Sequence, residues 1–165
     1  MKITIVLILT IVRITTSGQG FAGKYQDYFG HSLELKKDST FRSDWRFDLI
    51  HVWATGQWTV SGKTLTLKFI GVYDTLSSVG KSDSLVLSID EQSNKINKEE
   101  FLVTALISGG QNKDEFSDRF YRRGKRLFLT KKNGRPSKSR RHGIWPQKTW
   151  PWGYKKWPTC FMKQD

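Results

Sequence analysis

From residue 23 onward the chain alternates apolar and polar positions in short runs separated by turn residues, which predicts an antiparallel meander. The run 23–29 opens it, and 32–36 follows with Leu33 and Leu35 on one face. In 40–47, Phe41, Ser43, Trp45 and Phe47 share one face, while Thr40, Arg42, Asp44 and Arg46 share the other. One side of that strand is therefore predicted buried and the other wet. The run 52–60 repeats the pattern with Val52, Ala54, Gly56, Trp58 and Val60 inward. Gly56 in mid-strand predicts a bulge or bend that curls the sheet toward closure. After the turn Ser61-Gly62-Lys63, Leu65, Leu67 and Phe69 continue the buried face.

Residues 71–83 read as a polar loop, 85–89 as a strand, and 90–100 as a charged segment with room for a short helical stretch. In 85–89 the alternating residues are Leu85, Leu87 and Ile89. The apolar run FLVTALI, 101–107, predicts a strand covered on both faces and closed by Gly109-Gly110. Phe120-Tyr121 and 127–129 flank the turn Arg123-Gly124-Lys125, and Asn133-Gly134 is a strong turn signal. Eight or nine short strands without an amphipathic helix predict an all-β fold, either an up-and-down barrel or a closed sandwich. From residue 136 onward the alternation stops. Pro136, Pro146, Pro151 and Pro158 all lie there, and each removes a ladder donor. The predicted organisation is a barrel domain over 19–135, with an irregular basic Trp/Pro-rich tail over 136–165 packed on it.

The first eighteen residues read as a signal peptide. Lys2 precedes an apolar run at 3–12, and Thr16-Ser17-Gly18 places small residues for cleavage before Gln19. Ten helical residues rise about 15 Å, half of a bilayer core, so the run does not span alone. An exported protein, periplasmic or secreted, is expected, with no transmembrane segment in the mature chain. Cys160 is the only cysteine, which excludes an internal disulfide and a multi-cysteine zinc site. Charge then separates two regions. Residues 119–165 carry fifteen Lys/Arg and one acid, whereas 19–118 carry eleven Lys/Arg against fourteen acids. A cationic terminus on a near-neutral body points to an anionic polymer or surface as partner.

Gly23-Lys24-Tyr25 is followed by Leu33-Glu34-Leu35 and Asp38-Ser39-Thr40-Phe41, then by Gly56-Gln57-Trp58 and the alternating Thr64-Leu65-Thr66-Leu67. This succession, about a third of the chain, resembles the opening of small exported bacterial proteins with a lipocalin-like (calycin) fold. Its G-x-W lies on about the fourth strand rather than the first. The resemblance implies a closed antiparallel barrel and a binding role, and leaves the ligand open.

No catalytic constellation is legible. Asp27 with His31, or Asp48 with His51, could meet at a barrel mouth as an acid/His site, the one enzymatic alternative; polar loop residues are the plainer reading of both pairs. Gly62-Lys63-Thr64 is not a phosphate-binding loop, because the required earlier glycine is Gln57. Glu99-Glu100 and Asp114-Glu115 point apart on either a strand or a helix and read as surface charge. A non-enzymatic protein without cofactor or metal is expected.

Two binding surfaces remain. Phe41, Trp45, Phe47, Trp58 and Phe69 project inward, to fill the barrel or to line a cavity for a small apolar ligand. Lys131, Lys132, Arg135, Lys138, Arg140 and Arg141 form a basic patch suited to an anionic glycan, lipid or protein surface. Trp145, Trp150, Trp152 and Trp157 interleave the basic end, as in membrane-active peptides, or else wrap the barrel. Nucleic acid ranks below these partners, since an export signal removes its usual compartment. Nothing in the pattern specifies an oligomeric state.

Overall fold

The structure is a computed structural model that describes residues 20–77, 80, 82–112, 117–143, 147–149 and 153–165, leaving aside the side chain of Ile107. The expected signal peptide lies outside the described residues, as do Asp114, Glu115, Trp145, Trp150 and Trp152. Among the described residues no helix is long and apolar enough to cross a membrane.

Strands β1 (Gly23–Gln26), β2 (His31–Leu35), β3 (Thr40–Phe47), β4 (Ile50–Ser61) and β5 (Thr64–Phe69) follow one another as antiparallel neighbours. A long excursion then intervenes: β6 (Tyr73–Ser77), β7 (Ser84–Leu87), β8 (Lys95–Asn97), helix α1 (Lys98–Ser108) and β9 (Gly109–Gln111). β10 (Arg119–Arg123) returns to pair with β5, and β11 (Arg126–Leu129) pairs with β10. A second excursion carries the ribbon β12 (Arg140–His142) and β13 (Lys156–Pro158), and β14 (Cys160–Lys163) ends the chain. β14 inserts antiparallel between β11 and β1, so the meander closes into an eight-stranded antiparallel barrel. The all-β up-and-down architecture read from the alternation is the one observed.

Inward residues of every barrel strand meet in one core. Tyr25, Leu33, Leu35, Phe41, Trp58, Leu65, Leu67, Phe120, Leu127 and Phe161 are all buried in it, together with Phe21 from the segment before β1. Gly56 produces no bulge. Its register continues on both sides, Phe41 opposite on β3 and Phe69 opposite on β5. A Cβ there would stand 2.0 Å from the Lys68 carbonyl oxygen and 2.9 Å from the Phe41 ring. The missing side chain lets the Phe41 and Phe69 rings meet edge to face at 5.4 Å.

Several local expectations are corrected. Residues 101–107 are helical, within α1, because a continuous apolar run fits a helix as well as a strand. Asn97 caps the helix by accepting from the Glu100 N–H at 2.7 Å, and Glu99 and Glu100 favour its positive end. Strand β6 forms inside the expected polar loop and makes a small sheet with β7 and β8. On β7 the alternating residues Leu85 and Leu87 are both exposed, since this sheet lies outside the barrel. The tail is not irregular throughout: its last strand is a barrel stave. Trp53, on the outer face of β4, is buried beneath the first excursion and donates its indole N–H to the Ile89 carbonyl at 2.9 Å.

Closure at β14 predicts that Phe161→Ala, which opens a cavity beside Leu127 and Phe120, lowers stability by about 3–5 kcal/mol in urea denaturation. A loss under ~1 kcal/mol would mean that this strand does not hold the barrel shut.

Candidate functional site

The two ends of the barrel are built differently. At one end Phe21 plugs the interior, and its carbonyl accepts a 2.7 Å hydrogen bond from the Tyr25 hydroxyl. Burial pushes that hydroxyl's pKa up, against an opposing pull from Arg122. At the other end β3 and β4 run on to the pair Phe47–Ile50, past the last β2 pair at Trp45 and the last β5 pair at Gly56. The projecting hairpin forms one lip of a mouth, and the β1–β2 turn forms another.

Asp27 and His31 do meet at this mouth, with Nδ1 and Oδ2 3.0 Å apart. The other Asp27 oxygen accepts the backbone N–H groups of Phe29 at 2.8 Å and His31 at 2.9 Å. The carboxylate therefore staples its own turn, a structural duty that accounts for its position. His31 stacks on Trp45 at 5.9 Å between centroids, and the Trp45 indole donates to the Phe29 carbonyl at 3.0 Å. Phe47 stacks on Trp45 in turn, at 6.2 Å and 9° between planes.

The five predicted aromatic residues do not line one cavity. Phe41 and Trp58 lie in the closed core, the Trp58 indole bonded to the Lys36 carbonyl at 3.0 Å. Phe69 is half-buried and packs between that core and a smaller cluster of Val52 and Ala54. Trp45 packs on the smaller cluster, and Phe47 is 46% exposed against the prediction that it points into the core. The side chain lies on the projecting part of the hairpin, where neither β2 nor β5 faces it. Only Trp45 and Phe47 of the five are presented to the mouth.

The second anticipated pair is not Asp48 with His51. His51 Nε2 instead meets Asp44 Oδ1 at 2.8 Å. Asp48 sits in the two-residue β3–β4 turn with a positive φ of 54°. The turn sets His51 opposite Arg46, which leaves Asp44 as its diagonal neighbour on the same face. Arg42 bonds both Asp44 oxygens, at 2.7 and 2.8 Å, and also pairs with Glu91 of the first excursion. This four-residue network, on the outer face of the barrel, fastens the excursion to β3. Burial works to raise the Asp44 pKa, but bonds from Arg42 and His51 outweigh it and hold the carboxyl below its ordinary value.

The basic patch is gathered beside the mouth. Lys131, Lys132 and Arg135 occupy a turn closed by the Lys131 N–H to the Arg135 carbonyl at 2.9 Å. Arg140 and Arg141 lie on β12, whose register with β13 places Arg141 opposite Trp157 and His142 opposite Lys156. Lys138 and Arg140 border a cavity of about 170 Å³ between the ribbon and the barrel wall at Phe128 and Cys160. Burial raises the pKa of the Cys160 thiol there. All six predicted cations are exposed, and among the described residues none has an ion-pair partner. Trp157 anchors the ribbon by stacking on Tyr28 of the β1–β2 turn at 3.8 Å, and the Lys155 ammonium sits 3.9 Å over the Trp157 ring. The sequence marks Trp157 as one of an aromatic group; nothing local marks Tyr28 as its partner.

Among the described residues no group of three His, Cys, Asp or Glu side chains is placed to hold a metal ion. Comparison with protein-family models, curated proteins and solved structures finds no significant match.

The Asp44 shift sets an acid limit. Its folded pKa lies below the ordinary 3.8, so its contribution is complete above that value and is lost as pH falls from there through the folded one. Asp44→Asn should therefore lower the melting temperature near neutral pH and flatten its decline in acid. Parallel melting curves for the variant and the parent protein across the acid range would contradict this assignment.

Proposed function

We propose that the chain is an exported, non-enzymatic binding protein of lipocalin-like class, in which the barrel is a rigid scaffold and the C-terminal ribbon binds an anionic component of the cell envelope. The observation that carries this reading is the absence of acids along the ribbon. No Asp or Glu occurs from Lys131 to Lys156, and the nine Lys and Arg side chains there stand exposed without an ion-pair partner among the described residues. Uncompensated like charge costs stability through self-repulsion and is relieved when an anion binds. An acidic polysaccharide suits the ribbon better than a bilayer. Trp157, which could otherwise enter a headgroup layer, is already held against Tyr28.

Binding by neutralisation makes affinity fall steeply as salt rises. Retention on an immobilised acidic polysaccharide should weaken with added sodium chloride and fall at least about tenfold for Arg135→Glu, Arg140→Glu and Arg141→Glu combined. Retention that is unchanged by these reversals, or insensitive to salt, overturns the ribbon as the binding surface.

The ring pair at the mouth supports a second reading. Phe47 is half-exposed, stacked on Trp45 and flanked by Ile50, which is 42% exposed. A small apolar ligand would extend that stack rather than enter the filled interior. A neutral naphthylamine probe should quench Trp45 emission in the parent protein and lose most of its effect in Phe47→Ala; equal quenching in both removes this reading.

A further inference from the structure

The plugged end of the barrel, opposite the ribbon, carries a second concentration of positive charge. Two neighbouring hairpins turn there, Ser61-Gly62-Lys63 between β4 and β5 and Arg123-Gly124-Lys125 between β10 and β11. Gly62 and Gly124 hold φ near +60°, and the backbones are joined by the Arg122 N–H to the Lys63 carbonyl at 2.8 Å. Between the turns and Phe21 lies an open cleft of about 510 Å³, lined also by Tyr121, Arg122 and Arg123. No acid lines it.

Arg122 is fixed before any ligand arrives. Its Nε donates to the Gly124 carbonyl at 3.0 Å, and its guanidinium carbon lies 4.7 Å over the Phe21 ring. That geometry occupies one edge and one face of the guanidinium and sets its Nη1 beside Gly20, and among the described residues its terminal nitrogens donate to no acceptor. Lys163, on the adjacent end of β14, is held by the Ala22 carbonyl at 2.6 Å. Burial, then the charges of Arg122 and Lys125, lower its pKa. The cations at this end therefore repel one another, and an anion between them would relieve that repulsion.

We propose that this cleft is a binding site for a compact tetrahedral oxyanion, the phosphate or sulfate group of a monoester, with Arg122 as the planar donor and Lys63 and Arg123 as flanking charges. Arginine offers two parallel N–H groups that match two oxygens of such a group, and the lysine adds a point charge from the other turn. The cleft is far larger than one such group, so the ester's organic part has room beside Tyr121. The site is separate from the ribbon and does not depend on it.

Titration calorimetry of the protein with inorganic phosphate tests this. Saturable binding is expected, weakened at least about tenfold in Lys63→Gln with Arg123→Gln, which sit on the rim and leave the Phe21 plug untouched. Arg140→Gln with Arg141→Gln should leave phosphate affinity within about twofold, whatever becomes of polysaccharide binding. Glucose 6-phosphate and vesicles of phosphatidylcholine doped with phosphatidic acid then separate a soluble ester from a lipid headgroup, and retention of either by the parent protein but not by the rim variant supports the site. No saturable phosphate binding, or equal affinity in the rim variant, overturns it. A loss confined to the ribbon variant overturns it as well.

Discussion

The pairing of the last strand with the first holds this molecule together. β14 lies between β11 and β1, so a single four-residue segment satisfies two strand edges that would otherwise be open. Phe161 then completes the interior opposite Leu127, and Lys163 reaches back to the carbonyls of the segment carrying Phe21. With β14 absent, the sheet would have two free edges and a core open along one side. Both charged surfaces depend on this closure, because β14 draws the ribbon against the mouth and places its own lysine at the plugged end.

Closure also divides the labour between interior and surface. Large rings fill the barrel where Gly56 leaves space for Phe41 and Phe69 to touch, so the centre serves stability. The two proposed binding surfaces lie at the rims, where strands end and side chains lose their cross-strand neighbours. The mouth presents Trp45 and Phe47 beside an acid-free ribbon, and the plugged end presents two Gly-containing turns with their cations.

Legibility of the fold followed the range of the interactions concerned. The alternation in 40–47 and 52–60 was readable because side-chain direction on a strand is a period of two residues, set by the backbone alone. The 101–107 run shows the converse: without alternation, an apolar segment carries no period that separates strand from helix, and the chain forms α1 there behind a cap at Asn97. Asp48 is nearer to His51 in sequence, but the register of the two-residue turn brings Asp44 to the same face.

The residue pattern alone carries the local features: strand faces, turn positions, the segregation of charge into 119–165 and the inward aim of Phe41, Trp58 and Phe69. The return of the proline-rich tail to close the barrel, the stacking of Trp157 on Tyr28 and the place of Phe47 outside the core are set by long-range packing. These depend on contacts between residues up to some 140 positions apart, as from Ala22 to Lys163. Such contacts are chosen by the packing of the whole sheet, and no short stretch of sequence carries a signal for its distant partner.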